Sequence, residues 1–189
     1  MKIMLAAFNA KYIHSNLAVY DLKAYAQKYA SNVILKEYTI NQQKDDILRD
    51  IYLEQPDVVC VSCYIWNITF VKELMRDLAK ILPGVSFWAG GPEVSFDAPQ
   101  FLEENQEFTG VMAGEGEETF LELAGHYIEQ KPEELKEITG ICYRDAEGIH
   151  HNGWRHILDL SSIPFIYENL EDFKNRIIYY ESSRGCPFS

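Results

Sequence analysis

Short apolar runs without polar alternation recur along this chain, and most of them are followed by a stretch with helical spacing. The runs are Lys2–Phe8, Val33–Tyr38, Asp57–Tyr64, Val85–Ala89 and Gly110–Ala113. A strand with one face in water alternates apolar and polar residues, whereas a strand covered on both faces does not. Between the runs lie helical patterns at Asn16–Tyr29, with Ser15 or Asn16 as N-cap, and at Gln43–Glu54, with Ile47, Leu48 and Ile51 on one side. After Asn67, taken as an N-cap, apolar residues fall at Ile68, Val71, Leu74, Met75, Leu78 and Leu82, one helical face that Pro83-Gly84 ends. A short helix at Ala98–Asn105 follows, then one at Glu117–Gln130 with Phe120, Leu123, Ala124, Tyr127 and Ile128 together. Buried strands alternating with helices demand a parallel sheet with helices on both faces. The prediction for residues 1–137 is therefore an α/β fold, a doubly wound, flavodoxin-like sheet of five parallel strands in the order 2-1-3-4-5.

The rhythm changes after residue 137. Ile138–Tyr143 and Ile149–His151 flank the turn-rich Asp145-Ala146-Glu147-Gly148, which predicts a β-hairpin appended to the sheet within 138–156. Residues 157–176 carry Asp159, Ser161, Ser162 and Pro164 and read as a linker. Ile177–Glu181 then reads as a new strand, so 177–189 is expected to be the start of a second domain.

Composition narrows the function classes. Seventeen basic and 29 acidic residues give a net charge of −12, the wrong sign for phosphate-backbone binding, so no nucleic-acid partner is expected. Residues 101–137 hold eleven Glu and two Lys, a solvated acidic face or an acidic docking surface. The longest apolar runs fall far short of the ~20 residues a bilayer requires, and Asn9, Lys11 and His14 interrupt any signal-peptide core. Four scattered cysteines form no disulfide framework, and a cytoplasmic location is expected.

In an open parallel sheet, ligands bind beyond the C-terminal strand ends. The loops there read Asn9-Ala10-Lys11-Tyr12, Ser62-Cys63-Tyr64-Ile65-Trp66-Asn67, Gly90-Gly91-Pro92-Glu93 and Gly114-Glu115-Gly116-Glu117. Small residues gathered at one edge let a large ligand approach the backbone. Gly114-x-Gly116 is not a dinucleotide fingerprint. It follows the fifth strand, Thr119 replaces the third glycine, and Glu115, Glu117 and Glu118 would repel a pyrophosphate. Those glutamates suit a helix N-terminus and could accept hydrogen bonds from a neutral ligand. Cys60 and Cys63 lie three apart on a strand and so face opposite ways, which excludes a convergent thiol pair. The five histidines show no metal-ligand spacing, and there is no nucleophile elbow or P-loop. A receiver's acidic cluster and a flavodoxin's Ser/Thr-rich phosphate loop after the first strand are also missing.

The loops and the C-terminus together resemble the N-terminal cobalamin (B12)-binding-type domain of radical S-adenosylmethionine (radical SAM) proteins. The matching pieces are Ser62, Gly90-Gly91-Pro92-Glu93 and Gly114-Glu115-Gly116-Glu117, then Ile163-Pro164-Phe165 in the linker, and Tyr180-Glu181-Ser182-Ser183-Arg184-Gly185-Cys186-Pro187-Phe188-Ser189. The resemblance implies that Ser62, Gly90, Gly91, Pro92, Glu93, Gly114, Glu115 and Gly116 surround the nucleotide tail of cobalamin. It also implies that Cys186 is the first of three cluster cysteines of a following barrel, the chain's own partner. That barrel would hold a [4Fe–4S] cluster and S-adenosylmethionine in the full-length protein; one cysteine cannot, so this chain alone should lack radical chemistry. The Asp-x-His-x-x-Gly motif of cobalt-ligating relatives is absent, and the loop reads Asn9-Ala10-Lys11-Tyr12-Ile13-His14-Ser15-Asn16. The expected function is thus base-off cobalamin binding without a protein histidine, in an enzyme that moves a methyl group or remodels an organic substrate. The alternative keeps the fold without the corrin, as an interaction or substrate-shielding module for the barrel. An open crevice lined by Ser62 and the Gly90-Gly91 backbone favours the first; Tyr12, Tyr64 or Trp66 filling it favours the second.

Overall fold

A computed structural model describes residues 1–130, 135–167 and 169–185. Its strands are β1 (Ile3–Asn9), β2 (Val33–Thr39), β3 (Val58–Ser62), β4 (Ser86–Gly90), β5 (Gly110–Met112), β6 (Ile141–Arg144) and β7 (Ile149–His151). They form one sheet in the order β2-β1-β3-β4-β5-β6-β7. The first five are parallel in the predicted order, and β6 and β7 extend the same sheet antiparallel.

The helices are α1 (Leu17–Tyr25), α2 (Lys44–Glu54), α3 (Ile68–Ile81), α4 (Pro92–Ser95), α5 (Ala98–Glu104) and α6 (Glu117–Glu129). Every residue of β1 is buried, and the faces alternate as the pleat requires. Met4, Ala6 and Phe8 join the core containing Ile47, Ile51, Val71, Leu74 and Leu78 of α2 and α3. Ile3, Leu5 and Ala7 join the core containing Val19, Phe120 and Leu123 of α1 and α6. Cys63 and Cys60 fall in these two separate cores, as their spacing predicts. Burial holds both thiols up at about 12, so both are neutral.

Three expectations are corrected. Asn67 precedes α3 but does not cap it. Its wholly buried amide donates to the carbonyls of Phe8 and Ser62, both at 3.0 Å, and accepts from Tyr64 N at 2.8 Å. It therefore pins the ends of β1 and β3 together. Asn16 likewise makes no cap hydrogen bond; its backbone N–H donates to Glu37. Finally, Ile177–Glu181 is not a strand. Ile177 forms a single parallel bridge to His14, and no further strand pairing follows among the described residues.

Candidate functional site

Register sets the depth of the site. Ser62, Gly90 and Met112 lie side by side at the C-terminal ends of β3, β4 and β5. One pleat lower, Leu5, Cys60 and Trp88 form the next row on that face. Between Ser62 and Met112, Gly90 contributes no side chain. A cavity of about 390 Å³ opens there and runs down between the sheet and α1. That volume suits a sizeable organic ligand, for which pockets span roughly 300–1,000 Å³.

The sheet contributes Leu5, Cys60, Val61, Ser62, Gly90 and Met112 to the wall. Helix α1 contributes Ala18, Val19 and Leu22, and the loop into α6 contributes Gly114, Glu115, Gly116 and Glu117. Pro92, Ser95 and Phe96 line it from the α4 segment, an i, i+3, i+4 face. Seven of the eight predicted cofactor residues therefore share one cavity: Ser62, Gly90, Gly91, Pro92, Gly114, Glu115 and Gly116. Glu93 does not join them. One residue past Pro92 is about 100° around the helix, so it lines a separate surface hollow with Lys72 and Gln100.

At Gly91 only glycine fits. Gly91 has φ +107°, and a Cβ there would sit 2.5 Å from the carbonyl oxygen of Cys63. Gly116 makes room for Leu22, whose Cδ2 would lie 2.9 Å from an added Cβ. Ser95 Oγ donates to Gly91 O at 2.8 Å and accepts from Gly114 N at 3.2 Å, tying the fourth and fifth strand-end loops together.

The remaining wall comes from residues that the sequence reading placed in the hairpin and beyond. Trp154 packs over Gly114, and Arg184 closes the α6 side. Arg184 donates to Glu115 at 3.3 Å, to Glu117 at 2.5 Å and to Glu181 at 2.9 Å. Glu115 also accepts from Leu158 N at 2.7 Å. The single Arg184 charge thus offsets part of the acidic loop, and Glu115 Oε2 and Glu117 Oε1 are engaged within the protein. Nearby Asp21 is 7% exposed, and its pKa is pushed up to about 7 by burial and then by the charge of Glu117, with Arg184 opposing.

The 154–185 strap is held down elsewhere too. Arg176 pairs with the buried Glu37, which also accepts from Asn9 Nδ2, Asn16 N and Tyr20 Oη. Ser15 Oγ donates to Ile177 O at 2.9 Å. None of the three aromatics that could have filled the crevice does so. Tyr12 is exposed beneath the Arg176 guanidinium, Trp66 stacks on Tyr64 at 4.5 Å, and Tyr64 forms only part of the wall. Ser62 Oγ accepts from Asn16 Nδ2 at 3.3 Å, which leaves its own proton to donate.

Comparison with known proteins decides the family. The sequence matches the B12 binding domain model over residues 3–124. This chain belongs to the B12-binding domain family. Relatives of this B12-binding domain include the cobalamin-dependent radical SAM methyltransferase TokK of Streptomyces tokunonensis. It is 28% identical over 148 residues, 71% of this chain and 21% of that protein. Another is the anaerobic magnesium-protoporphyrin IX monomethyl ester cyclase of Cereibacter sphaeroides, 25% identical over 167 residues, 82% of this chain and 26% of that protein. The domain thus spans about a quarter or less of these relatives' lengths.

Among solved structures, the fold is shared with the radical enzyme OxsB bound to aqua-cobalamin and S-adenosylmethionine. The TM-score is 0.70 at 20% identity, covering 90% of this chain and 25% of that one. It is shared also with the methyltransferase TsrM of Kitasatospora setae bound to cobalamin and a [4Fe–4S] cluster. There the TM-score is 0.60 at 17% identity, covering 89% of this chain and 32% of that one.

In this B12-binding domain, His14 lies outside the main cavity. It lines an adjoining hollow of about 410 Å³ that shares Ala18 and Tyr64 with it. Its Nδ1 is hydrogen-bonded to Tyr179 Oη at 2.5 Å. Among the described residues, no group of His, Cys, Asp or Glu is arranged to hold a metal ion, and Cys186 lies outside them. No helix among them is long and apolar enough to cross a membrane.

Proposed function

We propose that this domain binds cobalamin base-off, with the nucleotide tail in the Ser62–Gly90–Met112 cavity and the corrin over its mouth. The observation that carries the reading is the open slot left by Gly90 between Ser62 and Met112, continuing down to Leu5 and Cys60. The residues fit the group. The slot is walled by apolar side chains and glycine backbone, with one hydroxyl proton on Ser62 left to orient a ribose or phosphate oxygen. Gly90, Gly91, Pro92, Gly114, Glu115 and Gly116 would form the upper wall. Arg184 would offset the charge of Glu115 and Glu117 where the tail's phosphodiester enters. His14 would not ligate cobalt, since its loop lacks the ligating motif and it lies outside the main cavity.

When bound, the corrin would supply a cobalt centre able to carry a methyl group. The protein's part is to seat the tail and exclude water from it. In the longer protein, a C-terminal radical SAM barrel with its [4Fe–4S] cluster and S-adenosylmethionine would face the corrin, and methyl transfer is the reaction we favour. The free, buried thiols of Cys60, Cys63 and Cys142 suit a reducing cytoplasm. An open cavity favours this reading over a corrin-free interaction module.

The test is direct. The 189-residue chain is mixed with hydroxocobalamin and gel-filtered, and the visible spectrum of the protein peak is recorded. Corrin absorbance of the base-off form should travel with the protein. Elution of all the corrin in the small-molecule volume would overturn the proposal.

A further inference from the structure

We infer that the hollow between α1 and the strap is a binding site for a small primary alkylammonium ion, held by Asp21. The hollow has a volume of about 280 Å³ and shares no lining residue with the main cavity, so the inference goes beyond the cobalamin reading. Helix α1 contributes Leu17 and Asp21, one turn apart on the same stripe. The strap contributes Ile163, Pro164, Tyr180 and Glu181. Asp21 is 7% exposed, yet its carboxylate has no hydrogen-bond partner among the described residues. A carboxylate taken out of water is normally paired, so this one is short of a partner at the wall of a hollow.

The charges around it are out of balance. Asp21 faces Glu117 from the start of α6, and Glu181 and Arg184 from the strap, and it acts in turn on the Tyr167 hydroxyl. Arg184 is already shared, because it donates to Glu115, Glu117 and Glu181. Four carboxylates thus face one guanidinium. Burial, and then Glu117, hold the Asp21 carboxyl up at about 7. A cation in the hollow supplies the missing charge and lets Asp21 ionise. The walls select the class of cation. Glu181 engages Arg184 through Oε2, and Ser182 beside it also lines the hollow, so the three N–H donors of an ammonium meet acceptors from both elements. Leu17, Ile163 and Pro164 offer an apolar seat for a short alkyl stem. A volume just under the roughly 300–1,000 Å³ of drug-sized sites limits the occupant to a few atoms. Among the described residues, no group is arranged to hold a metal ion instead.

The experiment titrates the isotope-labelled 189-residue chain with n-butylammonium chloride, holding ionic strength constant with sodium chloride, and follows the backbone amide resonances. Saturable shifts should appear within residues 17–22, 160–167 and 180–182. The alcohol n-butanol, which keeps the stem and drops the charge, should give none. The ion binds ionised Asp21 and stays charged itself, so its affinity should rise roughly five- to tenfold from about pH 6 to about pH 8, as a group with a pKa of about 7 loses its proton. Asp21→Asn keeps the shape of the side chain and removes the charge. It should lower the affinity about tenfold or more and abolish the pH dependence. Absence of a saturable shift, or equal shifts with n-butanol, overturns the site. Unchanged affinity in Asp21→Asn, or an affinity that stays flat across that pH range, overturns the role of Asp21 and the proposal with it. If the variant gives no folded spectrum, the pH profile of the unaltered chain decides.

Discussion

Adding one methyl group at two neighbouring glycines should give opposite results. At Gly90, an added Cβ meets Met112 at 3.6–3.7 Å, an ordinary contact, and the backbone lies outside the left-handed region. Because Gly in a strand is about 0.5–1 kcal/mol less favourable than Ala, Gly90→Ala should be neutral or slightly stabilising. At Gly91, φ is +107°, which costs an L-residue about 1–2 kcal/mol. The new Cβ would also sit 2.5 Å from Cys63 O and 3.2 Å from Cys63 N. Cys63 N donates to Gly90 O at 2.7 Å, so relieving the clash strains that bond between the strand ends, worth about 1 kcal/mol. Gly91→Ala should therefore lose roughly 2–3 kcal/mol, a fall in Tm of about 5–10 °C for a domain of this size. Urea unfolding and thermal melts of both variants, followed by circular dichroism, give the comparison. Equal stability of Gly91→Ala and Gly90→Ala would refute the claim that this turn is built on a glycine-only conformation.

Four further outcomes are expected. Gly90→Leu should fill the slot between Ser62 and Met112, abolishing corrin retention on gel filtration while leaving the melt within a few degrees of the parent. Asn67→Leu should cost about 2–4 kcal/mol in urea unfolding, because it strands two carbonyls and an N–H at the β1 and β3 ends. Glu37→Ala should cost a similar amount, since Arg176, Asn9, Asn16 and Tyr20 lose their shared acceptor. The 154–185 strap should then become more open to proteolysis. Asp21 gives a pH signature. Its pKa in the folded state, about 7, lies above the ordinary 3.8, so its stabilising contribution is complete below pH 3.8 and is lost as pH rises through 7. The loss is on the order of 2–4 kcal/mol, and Asp21→Asn should flatten stability between about pH 4 and 7; an unchanged pH profile would refute this role for Asp21.

The sequence alone carried the architecture. Strands such as Lys2–Phe8 and Asp57–Tyr64 lack polar alternation because both faces are covered, and that one fact implies parallel strands with helices on both sides. Parallel order then puts the loops bearing Ser62, Gly90-Gly91 and Gly114-x-Gly116 at one edge, so most of the crevice was readable from local patterns. What local patterns could not supply were partners distant in the chain. Arg184 lies 69 residues beyond Glu115, and no periodicity connects them. Trp154 closes the cavity only because the hairpin joins the sheet beside β5. The α1 wall of Ala18, Val19 and Leu22 reads in sequence as an ordinary core-facing helix. Asn67 looked like a helix cap, since the residue type fits; packing turned its amide toward two strand-end carbonyls instead.

Hydrophobic periodicity is a property of consecutive residues, so the chain determined for itself which segments are strands, which are helices and which edge carries the glycines. Side-chain direction at the termini of those elements depends on which distant polar group needs a partner. Tertiary packing alone decided that Arg184 ties down the acidic loop and that the gap at Gly90 deepens into a cavity.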